Sequence, residues 1–454
     1  MPLLQSDHAL EVCRSLVAAS PADETEVSLT SLEEGFVRFD ERGPTQNADR
    51  ESYRVAVRVR LRGPDGLREA SASCGSLDPA DGQAALQRAM TLAQVADADP
   101  DAEPLGGPVD VAETAAQRPT RDHTFREKAR WIEAAKEACR RDGLLPAGMI
   151  QTQAQGTTLV NSAGREVTGA VSRASFSLTA FQAGEAGGAG AAHCSHANVE
   201  ALDVPRAIQE AIECAVRSRG PVAFEPCETT VVLMPPAVSS LLLFAAYQGF
   251  GAQEVSERNS FLCDRIGQRL FPDAVRLYDD ASNELCPGLP FDGEGWPRKR
   301  LALLENGALQ APVTDARWAR KLGVDNTGHG PAQPSATGPA PENLVMAAGN
   351  ESLEQLIAGV DDGLLVNQLH YTNMIEPRDL TLTGMTRNGT FRIQGGRLAG
   401  PVRNLRFTES LVNVLRNTSG VGNKLEVAGA LFDGEVVCPA LRVDKFRFTS
   451  STDF

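Results

Sequence analysis

Histidine and cysteine cluster at one place in the sequence, the segment His193-Cys194-Ser195-His196. Such side chains could bind zinc, but the site would need two more ligands, and in a strand residues 193 and 196 would point to opposite faces. The preceding run, residues 183–192, is rich in glycine but is not followed by the Lys-Ser or Lys-Thr of a phosphate-binding loop. The pattern therefore favours neither a metal nor a nucleotide here, and the role of residues 193–196 stays open.

Nucleophilic groups are dispersed along the chain. The sequence has no Gly-x-Ser-x-Gly elbow and no His-Glu-x-x-His helix. Its six histidines are dispersed, and none is an evident sequence neighbour of Cys263 or Cys286. Because catalytic groups meet in space rather than in sequence, a cysteine nucleophile stays open. Buried free cysteine is common in protein cores, and this is the favoured interpretation.

Two pairs of carboxylates could supply acid and base groups. They are Asp279-Asp280 and the pair formed by Asp292 and Glu294, which has glycines around it that would permit a tight turn. A polar β-turn is the favoured interpretation of these residues. The short basic cluster at residues 298–300 is interpreted in the same way, as a solvated turn.

Composition argues against several classes of protein. A chain of 454 residues is too long for one compact core, so two or three domains are expected. The net charge of -15 argues against a nucleic-acid-binding face. Nine cysteines without a Cys-x-x-Cys pair are typical of free thiols in a reducing compartment. With no long apolar run and no signal-like pattern at the start, a cytoplasmic protein without membrane contact is expected.

Helix and strand patterns recur in the same order in the first half of the chain. Apolar residues follow helical spacing, then alternate with polar residues, and then follow helical spacing again. The order occurs twice, which predicts a duplicated unit of helix, β-meander and helix in an N-terminal α/β domain, residues 1–218. The predicted segments are helices over 4–17, 80–97, 125–142 and 205–219, strands over 25–40 and 52–74, and three or four strands over 149–181.

The second half has a different pattern of apolar and turn-forming residues. Residues 218–227, with two prolines and a glycine, predict a linker to a second domain, residues 228–454. This domain begins with an apolar strand and a buried helix, and a long loop rich in proline, glycine and alanine follows at 328–343. Short alternating segments with Asn-Gly and Gly-Gly turns predict mostly antiparallel β structure. The predicted fold class is α+β.

Five segments of the second half carry a resemblance to a known family. They resemble, in order and spacing, the TldD/PmbA family of metallopeptidases, and within it the PmbA (TldE) branch. The first half agrees in organisation, because family members carry a duplicated α/β region there. The matching segments are residues 231–271, 290–309, 321–330, 388–402 and 439–448.

The resemblance implies where a zinc site would lie. Active TldD-type members carry a His-Glu-x-x-x-His helix in which two histidines, with a later cysteine, hold zinc, and the glutamate activates water. In this chain the histidines fall on Ala245 and Phe250, and the glutamate falls on Ala246. The later cysteine falls within residues 430–432, several residues before Cys438. The resemblance therefore implies a degenerate zinc site and no metal cofactor in this chain.

The resemblance also implies a role and a set of cleft residues. It implies a non-metal-binding subunit that pairs with a zinc-containing TldD-type subunit and acts on unfolded or modified peptides, with a homodimer left open. The residues expected to line the vestigial pocket are Tyr247, Gln248, Gln253 and Glu254. Gln394 and the run Thr408-Glu409-Ser410 depart from the family pattern and point towards another substrate, such as one from natural-product maturation.

Two alternatives stay open. One is a metal-independent enzyme that acts on a small-molecule conjugate in the same cleft, using Asp292, Glu294, His329 and His370. The other is a module that binds peptides by strand addition at a sheet edge, without turnover.

Overall fold

The first half of the chain folds into one sheet with helices on one face. The computed structural model describes residues 3–184, 187–431 and 434–452. The helices of this half are α1 (Ser6–Ala19), α2 (Pro79–Val95), α3 (Arg118–Arg121), α4 (Phe125–Arg141) and α5 (Val204–Arg217), with a 3-10 turn at Val199–Ala201. The strands are β1 (Glu24–Asp40), β2 (Gly43–Gly63), β3 (Gly66–Cys74), β4 (Ala98–Asp99), β5 (Leu145–Asn161), β6 (Glu166–Phe181) and β7 (Ala189–His196).

The sheet confirms the predicted duplication. Its strand order is β4-β3-β2-β1-β5-β6-β7, and every pairing is antiparallel. The units α1-β1-β2-β3-α2 and α4-β5-β6-β7-α5 meet at the centre, where β1 runs antiparallel to β5 with Leu32 opposite Gln155. The two units thus have the same order of helices and strands and meet through their first strands.

One prediction for this half was wrong in detail. The segment predicted as three or four strands forms two long ones, β5 and β6, joined by a turn at residues 162–165. The strand β5 contains no proline after Pro146 and only isolated glycines, so nothing in its sequence breaks the ladder. The glycine-rich run before β7 includes residues 185 and 186, which lie outside the described part of the chain.

The helices cover one face of the sheet and leave the other to the second half of the chain. Along β1, Leu29 packs into a core with Leu16 of α1 and Leu86 of α2. Because strand side chains alternate between faces, Ser28 and Thr30 point the other way. The α4 helix begins with a capping box, in which Thr124 and the third residue of the helix bond each other's backbone N–H.

The second half of the chain is rich in strands. Its helices are α6 (Pro235–Gln248), α7 (Ala252–Ser256), α8 (Ala316–Leu322), α9 (Leu353–Ala358) and α10 (Leu411–Arg416). The strands are β8 (Glu228–Leu233), β9 (Leu277–Asp279), β10 (Leu301–Glu305), β11 (Ala308–Leu309), β12 (Leu344–Met346), β13 (Asp362–Glu376), β14 (Thr381–Gln394), β15 (Arg397–Pro401), β16 (Leu405–Ser410), β17 (Thr418–Val421), β18 (Glu426–Leu431), β19 (Gly434–Cys438) and β20 (Leu441–Ser451).

These strands form a small barrel and a second sheet around α6. The order β13-β8-β20-β16-β14 closes on itself because β14 also pairs with β13. The second sheet has the order β11-β10-β9-β12-β19-β18. Among the pairings between the named strands of the described residues, only β8–β13 and β12–β19 are parallel, so the predicted mostly antiparallel α+β fold is confirmed. The α6 helix is apolar on nearly all sides and contacts β13 of the barrel and β18 of the second sheet.

The predicted linker lies between α5 and β8. The division into domains at residues 218 and 228 stays a prediction. Among the helices in the described ranges, none is long and apolar enough to cross a bilayer.

Candidate functional site

A cleft of about 420 Å3 lies between the helix-free face of the first sheet and the loops of the second half. We call it the junction cleft. Its floor is formed by β1, β5 and β6, one wall by the end of α6 and by α7, and its roof by the loop at 328–343. The lining residues are Ser28, Thr30, Gln155, Thr157, Leu159, Val171, Tyr247, Gln248, Glu254, Arg298 and residues 288–289, 291–293, 329–332, 337–340 and 342–343.

Five residues that the sequence analysis put forward line this cleft together. They are Tyr247 and Gln248 at the end of α6, Glu254 in α7, Asp292, and His329 in the roof loop. Tyr247 and His329 are 82 positions apart in the sequence, and the α6–α7 bend places Tyr247, Gln248 and Glu254 on one wall.

Three other candidates lie outside the lining of the cleft. Gln253 is turned from the cleft, and its amide donates to Glu257 at 3.1 Å. Glu294 points away because its carboxylate accepts the backbone N–H of Ala316 at 3.0 Å, at the start of α8. His370 lies on β13 next to the guanidinium of Arg387. The predicted meeting of all four acid–base candidates does not occur.

The positions assigned to zinc are buried in apolar core. Ala245 and Ala246 are each 1% exposed, and Phe250 is fully buried. The Phe250 ring packs edge-on against Phe261 at 5.3 Å between ring centres. Methyl and phenyl groups have no lone pair to offer, so this donor set does not fit a zinc ion. Within the described residues, no three His, Cys, Asp or Glu side chains are grouped as a metal site.

The bend between α6 and α7 depends on glycine. Gly249 ends α6, and Gly251 begins α7 with φ −74°. A Cβ on Gly251 would lie 2.0 Å from the Glu254 carboxylate and 2.5 Å from the Pro339 carbonyl oxygen. The backbone can therefore turn under the roof loop only without a side chain at this position.

The region assigned to the third zinc ligand is only partly described. Residues 430 and 431 belong to β18, whereas Phe432 lies outside the described residues. Cys438, at the end of β19, is fully buried, and its thiol donates to the Pro235 carbonyl at 3.3 Å. Burial raises the pKa of Cys438 far above its ordinary value, which makes the thiol unreactive.

Asp292 organises a turn at the edge of the cleft. One oxygen accepts the N–H groups of Glu294 at 2.9 Å and Trp296 at 2.8 Å, and the other accepts the N–H of Gly330 at 2.7 Å. Burial raises the pKa of Asp292 to about 6, although these donors oppose the shift. Burial, and then the charge of Asp292, raise the pKa of Glu294 to about 8. Asp292 therefore has the polar-turn role that the spacing favoured, whereas the Glu294 carboxylate accepts at the start of α8.

A buried ion network, which the sequence analysis missed, forms the wall beside Asp292. Arg298 is not a solvated turn residue: its side chain is 2% exposed and donates to Asp279 at 2.7 Å and Glu342 at 2.9 Å. Asp279 also accepts the backbone N–H groups of residues 342 and 343. Although burial alone would raise it, the charges of Arg298 and His329 hold the pKa of Asp279 well below its usual range.

The His329 ring lies between Thr327 and Asp279, and its Nδ1 forms a hydrogen bond, whereas its buried Nε2 is near Asp279 without hydrogen-bond geometry. Its Nε2 lies 3.3 Å from Asp279 Oδ1, and its Nδ1 lies 2.9 Å from the hydroxyl of Thr327. Both ring nitrogens thus face protein partners rather than the cleft. This histidine shapes the wall and is poorly placed to act as a general base.

The cleft floor is a second feature that the sequence analysis did not single out. Ser28 and Thr30 on β1 lie opposite Leu159 and Thr157 on β5. Together with Gln155 they line the cleft with neutral hydrogen-bonding groups. The alternation of polar and apolar residues along β1 and β5 was the available signal, since it places these side chains on the face without helices.

The His193-Cys194-Ser195-His196 segment joins the two halves of the chain. The Ser195 hydroxyl donates to Glu435 of β19 at 2.7 Å, and burial lowers the pKa of His193. Cys194 packs in the core beneath α5, and His196 accepts the backbone N–H of residue 198. Each side chain thus has a structural contact.

The two other cysteines considered have similar surroundings. Cys286 is 2% exposed, and burial raises the pKa of its thiol to about 12. The thiol of Cys263 lies 3.5 Å from the Val255 carbonyl. Cys286 is therefore held in the inert thiol form at neutral pH.

Sequence and structure comparisons agree with this architecture. Residues 226–450 match the profile of a family described as "PmbA/TldA metallopeptidase C-terminal domain". Metalloprotease PmbA of Escherichia coli O157:H7 is 27% identical over 194 residues, which is 42% of this chain and 40% of that protein. A metalloprotease of Methanothermobacter thermautotrophicus is 23% identical over 325 residues, 69% of this chain and 70% of that protein.

A solved structure shows the same fold along nearly the whole chain. TldE from Thermococcus kodakarensis superposes with a TM-score of 0.85 and 19% identity, covering 98% of this chain and 99% of that one. The profile match, the similar relatives and the shared fold point the same way. The chain belongs to the PmbA/TldD family of metallopeptidase-like proteins.

Proposed function

We propose that this chain is a TldE-like subunit that binds no zinc and completes a two-subunit peptidase with a TldD-type partner. The partner would hold zinc and activate water, as the resemblance implies. This chain would shape the path of a peptide or modified peptide towards that site. The pair would act in the cytoplasm, and a homodimer is the competing arrangement.

The burial of Ala245, Ala246 and Phe250 carries this proposal. Their side chains have no metal-binding atom, and the Phe250 ring fills the core where a ligand would be needed. Restoring ligands would require imidazole and carboxylate groups in closely packed apolar surroundings, which is costly. The α6–α7 bend and the cleft beside it are both present, and a cleft of this kind supports a role in binding.

The alternative of metal-free catalysis has less support. Of its four candidate residues, only Asp292 and His329 line the junction cleft, and both are engaged by neighbouring groups. The alternative of peptide binding by strand addition has no specific contact in its favour. Both remain possible outcomes of the experiments below.

Association and zinc content test the proposal. The chain is co-expressed with a TldD-type subunit from the same organism, and the complex is analysed by size-exclusion chromatography and by elemental mass spectrometry. The expected result is a one-to-one complex whose zinc is lost when the partner's own ligand histidine is replaced by alanine. A homodimer that does not bind such a partner would contradict the proposal. Stoichiometric zinc on this chain alone would also contradict it.

Two variants test whether the α6 wall of the cleft contributes to peptide turnover by the complex. Tyr247 lies at the end of α6 beside the cleft and is 53% exposed, whereas Val95 is 80% exposed at the end of α2. Tyr247→Ala is expected to lower peptide turnover by the complex roughly tenfold, since it removes a large contact surface. Val95→Ala is the matched control and should leave turnover unchanged.

A further inference from the structure

Most charged groups that line the junction cleft already bind other groups of the protein. Its single arginine, Arg298, is bound by Asp279 and Glu342. The carboxylate oxygens of Asp292 accept hydrogen bonds from three backbone N–H groups. No cation among the lining residues is therefore left to receive an anionic ligand, since His329 also faces protein partners.

Glu254 differs from the other lining carboxylates, because Glu342 pairs with Arg298 and Asp292 accepts backbone N–H groups of other residues, whereas Glu254, in the described part of the chain, accepts only from its own backbone N–H. Within the described residues it forms no ion pair, and it lies in the wall formed by α7. Burial raises the pKa of Glu254; its own backbone N–H opposes this, and the charge of nearby Glu257 adds to it. A half-buried carboxylate without a cation gains most from a ligand that brings one.

The remaining polar groups of the cleft are neutral. Ser28, Thr30, Gln155 and Thr157 form the floor, and Gln248 lies beside Glu254 in the wall. Hydroxyl and amide groups both donate and accept, and they suit the amide groups of a peptide-like molecule. The cleft thus combines the Glu254 carboxylate, which has no cationic partner among the described residues, with a neutral hydrogen-bonding floor.

We propose that the junction cleft selects peptide-like ligands that carry a primary amine, and that Glu254 pairs with the ammonium group. This inference rests on the proposed function, because it names the ligand class of the same cleft. An ammonium group could come from the amino terminus of a peptide or from a lysine side chain. Glu254 is then a specificity residue of binding, and no bond is made or broken at it.

Binding of short synthetic peptides to the full chain tests this. The probes are tri-alanine amide with a free amino terminus and the same peptide acetylated at that terminus; their amidated carboxyl ends avoid a negative charge. Isothermal titration at neutral pH should show at least tenfold tighter binding of the free amine. Equal binding of the two peptides, or tighter binding of the acetylated one, would overturn the proposal.

Two variants assign the effect to Glu254. Glu254→Gln keeps the shape of the side chain and should bring the affinity ratio of the two peptides close to one, with the acetylated peptide unaffected. Glu257→Gln, an exposed neighbour outside the cleft, should keep the tenfold ratio. Circular dichroism melting establishes that both variants are folded. A ratio that survives Glu254→Gln would overturn the assignment.

A third probe separates the two sources of the amine, and an activity assay separates this inference from the proposed function. Acetyl-alanyl-lysyl-alanine amide has a lysine but no free terminus, so tight binding of it identifies the side-chain ammonium as the ligand.

Should the chain fail to pair with a TldD-type subunit, the amine preference is still measurable on the chain alone. Should the pair hydrolyse peptides while the probes bind equally, only the amine inference fails.

Discussion

Glu294 and Arg298 illustrate how burial changes the role of an ionisable side chain. In the sequence both belong to a polar stretch that suggests a solvated turn, and the turn itself is formed around Asp292 as that stretch indicates. The sequence does not reveal that the turn is covered by the roof loop, since Gly330, which closes it, lies 38 positions further on. The buried Arg298 network was missed for the same reason.

The raised pKa of Glu294 predicts a dependence of stability on pH. Burial and Asp292 raise this pKa from 4.5 to about 8, so the folded chain keeps a proton that the unfolded chain releases. The stabilising contribution is fully present below about pH 4.5 and is lost as the pH rises to about 8. Between pH 5.5 and 8.5, Glu294→Gln should therefore lose less free energy of unfolding than the native chain, by roughly 3 kcal/mol.

Urea denaturation at the two pH values measures this difference. Glu284→Gln, at an exposed position, is the control and should follow the native chain at both. Parallel pH profiles of the native chain and Glu294→Gln would contradict the buried, protonated state of Glu294.

Arg298 offers a matched comparison with its neighbour Arg300. The Arg298 side chain is 2% exposed and bridges Asp279 and Glu342, whereas that of Arg300 is 60% exposed and lies 3.8 Å from Asp280. Lysine cannot reproduce the forked contacts of Arg298. Arg298→Lys should lower the free energy of unfolding by about 3 kcal/mol, and Arg300→Lys by less than about 0.5 kcal/mol. Equal effects in chemical denaturation would show that the network is not stabilising.

Secondary-structure elements were predicted well where a periodic pattern decides them. The amphipathic α4 and the alternating β1 follow from spacing alone, because one face of each is buried. The pairing of β1 with β5 across more than 100 residues has no local signal, and neither has the pairing of β8 with β13 and β20 in the barrel. These contacts depend on how whole layers pack.

The α6–α7 bend gives a prediction at this scale. A Cβ at Gly251 would overlap the Glu254 carboxylate and the Pro339 carbonyl, whereas a Cβ at Gly400 of β15 would meet nothing within 4 Å. Gly251→Ala should cost about 1–3 kcal/mol of unfolding free energy, because the roof loop or α7 must move. Gly400→Ala is the control, and it should change stability by less than about 0.5 kcal/mol. Native-like stability of Gly251→Ala would mean that the bend tolerates a side chain.

At the scale of the whole molecule, the cleft exists only because the two halves of the chain meet. Arg165, in the turn between β5 and β6, is a main contact between them. Its guanidinium donates to the Glu294 carbonyl at 2.8 Å and the Gly107 carbonyl at 3.0 Å, and it lies 4.5 Å from the centre of the Trp296 ring. The sequence shows two different residue patterns on either side of a linker, but it does not show this contact or the cleft next to it.

Replacing Arg165 tests how firmly the halves are joined. Arg165→Met keeps an apolar stem over Trp296 but leaves the part-buried carbonyl groups of Gly107 and Glu294 without this donor, which should cost about 1–2 kcal/mol. Arg217→Ala removes an exposed arginine from α5 and is the control. We expect limited proteolysis to cut the linker at 218–227 faster in Arg165→Met only. Unchanged stability and cleavage would contradict a role for Arg165 in holding the halves together.

The central claim is that this chain contributes a fold and a cleft, and leaves zinc chemistry to a TldD-type partner. The most direct test is hydrolysis of an unfolded, fluorescently labelled peptide by this chain, by the partner and by their equimolar mixture. We expect no turnover by this chain alone, and turnover by the mixture that stops when the partner's zinc-binding histidine is replaced. Zinc-dependent turnover by this chain alone would contradict it.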